Sequence, residues 1–458
     1  MYRHHPFLYC TKTKGRHILY NPCIKMGLTI LDDKAFNFFQ IINNKNISQI
    51  EKIKEKYIKN SDRLHEIIRL LTTRGLIYSG KLPQIDFYKP RWLTAWIHLT
   101  NQCNFRCRYC YIDKSHGIMS QNLTKMIIDQ LVETVLVNNF SGISLKCAGG
   151  EPLLAFNLLK QIVNYSKVVT KTKNIKINIA IVTNGSLITS EIAQFLRNNK
   201  IRVTVSLDGP AKFNDKQRIF QNGQGTFHAI MRGIKALKEV GYPMGMLRVG
   251  VVVSALNIDG LYELTNMLLD KKIPWCYSFF RENEYANMNV KKCSDKKLAK
   301  VLSNCFKLIS KKMYPELPVI ALLDRVNLLA PHLRSCTMGQ SYMAISNNGK
   351  ISLCHMLQEK PLFSLSRNKI NLIKYLTKND REGLSKFTID DVSKCKNCQW
   401  RYVCAGGCPL INYFKKGKFL EKSPYCNVYK KLIPKFILLL ALHTLKFGEK
   451  IWLDRIEE

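Results

Sequence analysis

Two hydrophobic periods alternate along most of this chain. From Trp92 onward, short apolar runs give way to longer stretches in which apolar residues recur at helical spacing. The runs at 93–99, 143–147, 176–182, 201–206, 247–253 and 274–280 read as strands. The stretches at 121–137, 153–169, 189–198, 226–240 and 258–270 read as amphipathic helices. Short apolar strands separated by helices belong in a parallel sheet with right-handed crossovers. The fold class is α/β, and six such units curl into a partial (β/α)6 TIM-like barrel, whose chemistry sits at the C-terminal strand ends.

Residues 1–85 pattern as a unit of their own. Strand-like pieces occur at Phe7–Cys10, His17–Tyr20 and Met26–Leu31, and again at Leu76–Tyr78. Between them lie three helical patterns. Asp32 and Asp33 cap one that carries Phe36, Phe38, Phe39, Ile41 and Ile42; Ser48 caps a second through Ile50, Ile53 and Tyr57. Ser61 and Asp62 open a third with Leu64, Ile67, Ile68, Leu70 and Leu71, which Gly75 ends. A small sheet with three helices makes an N-terminal winged-helix-like domain, suited to recognising a peptide, binding DNA or capping its neighbour. Leu82–Arg91, with Pro83 and Pro90, is a linker. The barrel core then covers 92–285, a Lys-rich helical linker 286–330, a cysteine-bearing domain 331–430 and a final helix 431–458. That helix contains the apolar run Phe436–Leu442 between Pro434 and flanking lysines. It is expected to pack on its own domain rather than lie on a membrane surface.

At 458 residues the chain has room for two or three domains. Its 71 Lys and Arg against 33 Asp and Glu give a net charge of +38. Such a balance invites an anionic partner. The positive residues are scattered, however, and no run of five occurs, so no nucleic acid is expected. Met1–Cys10 is polar, without the apolar core of a signal peptide, and no apolar run is long enough to span a bilayer. The expected location is the cytoplasm, where ordered cysteines mean metal rather than disulfides.

The cysteines supply the candidate chemistry. Cys103, Cys107 and Cys110 stand at CxxxCxxC spacing just after the first barrel strand. Three thiolates can hold three irons of a 4Fe–4S cluster and leave the fourth open; the alternative is a zinc site whose fourth ligand lies elsewhere. Gly149, Gly150, Glu151 and Pro152 follow the second strand, where glycines admit a close ligand and Glu151 brings charge for an ammonium group. Thr183-Asn184-Gly185 and Ser206-Leu207-Asp208-Gly209-Pro210 follow the third and fourth, and alone would be ordinary βα turns. Arg218 offers a planar fork to a carboxylate, or forms a surface ion pair. Cys276, Cys293 and Cys305 lack ligand spacing and read as buried thiols. A second array, Cys336, Cys354, Cys395, Cys398, Cys404, Cys408 and Cys426, with Gly349 ahead of Cys354, is too ordered for chance.

The first cysteine motif, with Tyr109 before its last cysteine and followed by GGEP and SLDGP…ND..R…GTF, resembles the signature of radical S-adenosylmethionine (radical SAM) enzymes of the branch containing peptide and sulfatase maturases. The later array resembles the seven-cysteine SPASM extension. The resemblance implies three 4Fe–4S clusters. One, on Cys103, Cys107 and Cys110, chelates SAM and cleaves it on reduction to a 5′-deoxyadenosyl radical that abstracts a substrate hydrogen. Tyr109, Gly149, Gly150, Glu151, Pro152, Asn184, Ser206, Asp208 and Arg218 are the implied SAM-site residues. One auxiliary cluster would take Cys395, Cys398, Cys404 and Cys426, the other Cys336, Cys354 and Cys408. Some relatives supply an eighth cysteine shortly before the seven, but Leu322–Ser335 has none. An open iron, which could bind a substrate thiolate, or a recruited ligand follows. Sulfatase maturases carry an acidic residue where this chain has His355, a candidate base in its place.

The run HILYNP…GLTILDDKAFNFF…GLI in the first domain is similar to PqqD-like leader-recognition modules. The partners this implies are a precursor peptide with a leader, and an electron donor such as flavodoxin or ferredoxin. The leading function is then a maturase that crosslinks or epimerises a ribosomal peptide. The alternatives are oxidation of a Cys or Ser in a sulfatase-like protein and, from another class, a metal-bearing nucleic-acid-binding protein.

Overall fold

The computed structural model of this chain describes residues 1–53 and 61–448. Its N-terminal part contains β1 (Tyr2–His4), β2 (Tyr9–Thr13), β3 (Arg16–Tyr20), β4 (Leu28–Leu31) and β5 (Ile77–Ser79). Strands β2, β3 and β4 form an antiparallel sheet in that order, and β1 pairs with β5. Helices Asp33–Ile41, Ile47–Ile53 and Ser61–Thr73 lie between β4 and β5 and bury Phe38, Phe39, Ile50, Leu64 and Ile68 in a core of their own. Asp32 caps the first helix as expected, accepting from the Ala35 N–H at 2.8 Å. The second is capped by Asn46 rather than Ser48. Asn46 Oδ1 accepts from the Gln49 N–H and Gln49 Oε1 from the Asn46 N–H, both at 2.9 Å, and this reciprocal box outcompetes a lone serine. Tyr57 lies outside the described residues.

The barrel strands are β6 (Trp92–Thr100), β7 (Gly142–Gly149), β8 (Lys176–Thr183), β9 (Arg202–Ser206), β10 (Leu247–Val253) and β11 (Trp275–Phe279). All six are parallel and neighbour one another in chain order. Side chains alternate with period two. On β6, Leu93, Ala95, Ile97 and Leu99 are buried against the helices, while Thr94 and Trp96 turn inward. Residues from all six strands line one cavity of about 660 Å³, so the sheet curls as expected into an α/β partial barrel.

The sheet continues past β6 with β12 (Tyr342–Ile345), β13 (Lys350–Ser352) and β14 (Phe363–Ser364). Strand β12 pairs parallel to β6, then β13 and β14 run antiparallel, so the cysteine-rich part is welded to the open side of the barrel. Gly349 closes the β12–β13 turn at φ +80°, a conformation that favours glycine and explains its place ahead of Cys354. The last helix spans Cys426–Phe447, so the final cysteine opens it and the expected boundary at 431 falls inside one element. Its Phe436, Ile437, Leu439 and Leu440 are buried, and Phe436 stacks on Phe306 of helix Asp295–Lys312 at 5.7 Å. Among the described residues no helix is long and apolar enough to cross a membrane.

Candidate active site at the strand ends

The cysteine loop after β6 is held from two sides. On one, it lies along residues 217–221: the Arg106 N–H donates to the Ile219 carbonyl and the Arg108 N–H to that of Gln217, both at 2.8 Å. Gln221 Nε2 donates to the Cys103 carbonyl at 2.6 Å, and Phe105 packs edge-on against Phe220 at 4.8 Å. On the other side the glycines of the GGEP turn press against the start of the loop. The Gly150 N–H donates to the Thr100 carbonyl and the Glu151 N–H to that of Gln102, both at 2.8 Å. A Cβ on Gly149 would lie 2.2 Å from the Thr100 oxygen, and one on Gly150 2.1 Å from that of Gln102. These glycines therefore admit the chain's own backbone, where the sequence suggested a ligand. Pro152 opens the short helical turn Pro152–Ala155 that follows.

Glu151 has no exposed surface. Its Oε1 accepts from Thr183 Oγ1 at 2.6 Å and the Leu153 N–H at 3.1 Å, and its Oε2 from the Asn184 N–H at 2.7 Å. Burial raises its pKa, and these donors oppose the rise. The carboxylate expected to meet an ammonium group is thus engaged inside the protein, where it ties the end of β7 to the end of β8. Asn184 passes the link on, donating from Nδ2 to Asn104 Oδ1 of the cysteine loop at 2.8 Å.

Arg218 is not on the surface. It is buried, 3.6 Å from Asp208 Oδ2, and also donates to the Tyr109 hydroxyl. Asp208 is fully buried at the end of β9, accepting from Tyr109 at 2.7 Å and from the Val252 N–H at 2.8 Å. The rest of the motif holds Arg218 in place. The Asp208 N–H donates to Asn214 Oδ1, Asp215 Oδ1 caps the helix Phe227–Glu239 through the Thr226 and Phe227 N–H groups, and Thr226 Oγ1 donates to the Arg218 carbonyl. Gly225 has no room for a Cβ beside the Asp215 carboxylate, which would lie 2.2 Å away.

The three thiols of this loop sit within one another's electrostatic reach. Burial pushes the bare Cys107 thiol up to about 12, and the Arg218 charge beside it pulls the other way. Lys114, which the sequence reading missed, acts on Cys103 and Cys107 in the same sense and donates to the Phe105 carbonyl. Deprotonated thiols are what an iron–sulfur cluster needs. Arg218 Nε, moreover, is a buried donor without a partner among the described residues. The donor set, flanking cations and orphaned donor fit a 4Fe–4S cluster with SAM at these strand ends.

The later cysteines separate into two groups. Cys354 lies within electrostatic reach of Cys336 and Cys408, and Cys404 of Cys395, Cys398 and Cys426, the same sets that the SPASM resemblance implies. Ala405, Gly406 and Gly407 all have positive φ, which folds the backbone between Cys404 and Cys408 into a tight concavity. Among the described residues no three Cys, His, Asp or Glu side chains close on a point as ligands of one metal ion would; the thiol groups are looser sets. Arg281 and Arg325 border the first group. Arg281 makes two bonds to Asp324, at 3.0 and 2.9 Å, and Arg325 adopts φ +59°.

His355 stacks on Trp96 at 4.4 Å, and its Nδ1 shares a 2.6 Å hydrogen bond with the Tyr342 hydroxyl. Burial, aided by surrounding cations, drives its pKa well below the ordinary histidine value, which disfavours proton uptake at this ring. Tyr111 lies against His355 and between Cys110 and Cys354, so aromatic rings fill the gap between the first and second thiol groups. Cys293 and Cys305 are core thiols as expected, but Cys276 is not. It faces the barrel cavity together with Ser206, Cys354 and Cys408. Strand alternation would have shown this, since Cys276 shares the parity of Ser278 across β11.

Comparison with known proteins agrees with this geometry. Residues 97–266 match the model of the Radical SAM superfamily. The cysteine-type anaerobic sulfatase-maturating enzyme of Clostridium novyi is 27% identical over 375 residues, covering 75% of this chain and 94% of that protein. The radical SAM cyclopropyl synthase TigE of Paramaledivibacter caminithermalis is 23% identical over 241 residues, 46% of this chain and 49% of its own. Among solved structures, anSMEcpe with bound AdoMet and Cp18Cys peptide superposes with TM-score 0.62 at 22% identity, over 78% of this chain and 99% of that one. Streptococcus suis SuiB bound to precursor peptide SuiA superposes with TM-score 0.53 at 18% identity, over 93% of this chain and 100% of that one. Residues 97–266 thus form a radical SAM domain, in a chain similar to anaerobic sulfatase-maturating and peptide-modifying radical SAM enzymes.

Proposed function

We propose that this chain is a SPASM-type radical SAM peptide maturase whose first 85 residues capture the leader of a ribosomal precursor. The observation that carries the reading is an apolar groove of about 500 Å³ between β4 and helix Ser61–Thr73. Ile30, Leu31, Phe38, Ile67, Leu70 and Leu71 line it, with Lys34 at its side. Strand β4 is an edge of its sheet, so an extended peptide can add along it and drop alternate apolar side chains into the groove. Contacts between this module and the cysteine-rich domain, such as Tyr9 against Trp400 at 5.3 Å, keep the groove at a fixed distance from the barrel.

When bound, SAM and its cluster supply a hydrogen-abstracting radical at the strand ends. The chain's part is to hold and orient. Cys103, Cys107 and Cys110 hold the cluster, with Arg218 and Lys114 favouring their thiolates. Gly149 and Gly150 position the cysteine loop, and Asn184, Ser206 and Asp208 stand at the ends of the neighbouring strands, beside which SAM would lie. Cys336, Cys354 and Cys408, and Cys395, Cys398, Cys404 and Cys426, would hold two auxiliary clusters, which would supply an acceptor for the surplus electron of an oxidative crosslink.

The test is co-expression with a short precursor encoded nearby, followed by mass measurement of the peptide. Loss of two hydrogens marks a crosslink, and solvent deuterium uptake without mass loss in ordinary water marks an epimer. Deleting residues 1–85 should abolish turnover of the full precursor; undiminished turnover rejects leader recognition. The similarity to the C. novyi enzyme favours a second reading, oxidation of a Cys or Ser in a folded protein, which would survive that deletion.

A further inference from the structure

The barrel cavity is basic in a way that the thiols do not account for. Lys146, Arg202, Arg248, Arg281 and Arg325 line it, and among the described residues no Asp or Glu does. Three of these cations interact with other groups, Arg202 among them. Arg281 is paired with Asp324 and lies against Cys408, and Arg325 faces Cys336 and Cys408. Their charge is absorbed by a carboxylate and by the thiolates of the first auxiliary group.

Lys146 and Arg248 are different. Lys146 is half-buried in the middle of β7, and Arg248 is exposed at the start of β10. The charged groups that act on Lys146 are Arg248 and Arg325, both repulsive, and the Cys276 thiol. Holding the half-buried Lys146 beside like charges costs free energy, and the cost falls when an anion enters. Resting on the peptide-maturase reading, we propose that Lys146 and Arg248 form a carboxylate subsite in the barrel, so that the modified segment of the substrate carries an Asp or Glu close to the residue attacked.

The register sets how close. Lys146 lies three residues before Gly149 on β7, about 10 Å below the strand ends at the strand rise. It pairs with Trp96, the ring that stacks on His355. Arg248 lies five residues before Val253 on β10, about 17 Å below that strand end by the same rise. An extended peptide advances about 3.3 Å per residue, which puts the acidic side chain about three to five positions from the reacting one.

The test uses the full chain, reconstituted anaerobically. The probe is a seven-residue glycine–serine peptide carrying two aspartates, titrated calorimetrically beside its asparagine and lysine counterparts at low salt. The aspartate peptide should bind about tenfold or more tighter than the asparagine one, and the Lys146→Gln, Arg248→Gln double variant should erase the difference. Lys146→Glu should turn the preference toward the lysine peptide. Thermal melting of each variant guards against misfolding. Equal binding of the aspartate and asparagine peptides, no binding of either, or an unchanged preference in the double variant overturns the subsite. None of those results touches leader dependence, which the deletion of residues 1–85 reads separately.

Discussion

Tyr109 donates its phenolic hydrogen bond to Asp208 Oδ2 across 2.7 Å, joining the cysteine loop to the end of β9, 99 residues away in sequence. The bond is buried, and it shares Asp208 with the Arg218 guanidinium 3.6 Å away. A tyrosine that reads from sequence as the aromatic member of a cysteine motif is thus also the strut that fixes the motif to the barrel.

Asp208→Asn should be the costliest change in this network. It leaves the Arg218 charge buried beside a neutral amide, and breaking such a pair costs about 3–5 kcal/mol. Tyr109→Phe removes one neutral donor and should cost about 1–2 kcal/mol. Urea unfolding of both variants measures the ranking. Equal losses would mean that Arg218 draws its compensation from elsewhere.

Gly150→Ala should displace the cysteine loop. Its Cβ would sit 2.1 Å from the Gln102 carbonyl oxygen, and neither backbone can yield without disturbing the turn. We expect a loss of about 1–3 kcal/mol and a sharp drop in iron retained at the first site, with the auxiliary iron unaffected. Iron counting and electron paramagnetic resonance after reconstitution report both. Normal iron at all sites would show that the loop tolerates the shift.

Leu70→Glu probes the N-terminal groove. Leu70 is 49% exposed and lines that groove, so the protein loses little stability when it changes. A leader seated there loses an apolar contact worth about 1–2 kcal/mol and gains an unfavourable charge. Its affinity should fall about tenfold or more, while turnover of a leaderless core peptide stays the same. Fluorescence anisotropy of labelled leader gives the first number and mass spectrometry the second; unchanged affinity removes the groove from leader recognition.

His332 predicts an acid sensitivity. Burial lowers its pKa to about 4, while its Nδ1 lies 3.2 Å from the Ala330 carbonyl. The unfolded chain takes up a proton below the ordinary histidine value, and the folded chain resists until about 4. The unfolded state therefore binds more protons in that window, and stability falls as pH falls through it. Between pH 7 and 5.5 this group alone accounts for about 1 kcal/mol. His332→Gln should flatten the pH dependence of urea unfolding by that amount; an unchanged slope would mean that the ring is protonated in the fold.

Much of this protein is legible in its sequence, for reasons of local chemistry. Apolar alternation and helical spacing fixed the strands of the barrel to within a residue or two, because burial on one face imposes its period directly on the chain. Cysteine spacing marked out the two arrays as metal-binding, because thiols of one site recur at intervals that short turns can close; that Cys408 joins Cys336 and Cys354 while Cys426 joins Cys395, Cys398 and Cys404 was implied only by the resemblance to the SPASM extension. What the sequence did not determine depends on contacts between distant segments. Nothing local says that Glu151 is spent on Thr183 and Asn184, that Arg218 lies buried under the cysteine loop, or that Gly149 and Gly150 make room for residues 100–102. Nor could spacing reveal that Cys276, Lys146 and Arg248 share one cavity, since they stand on different strands and meet only when the sheet curls. Periodicity tells which face a residue takes; only closure of the barrel decides which residues share the inside.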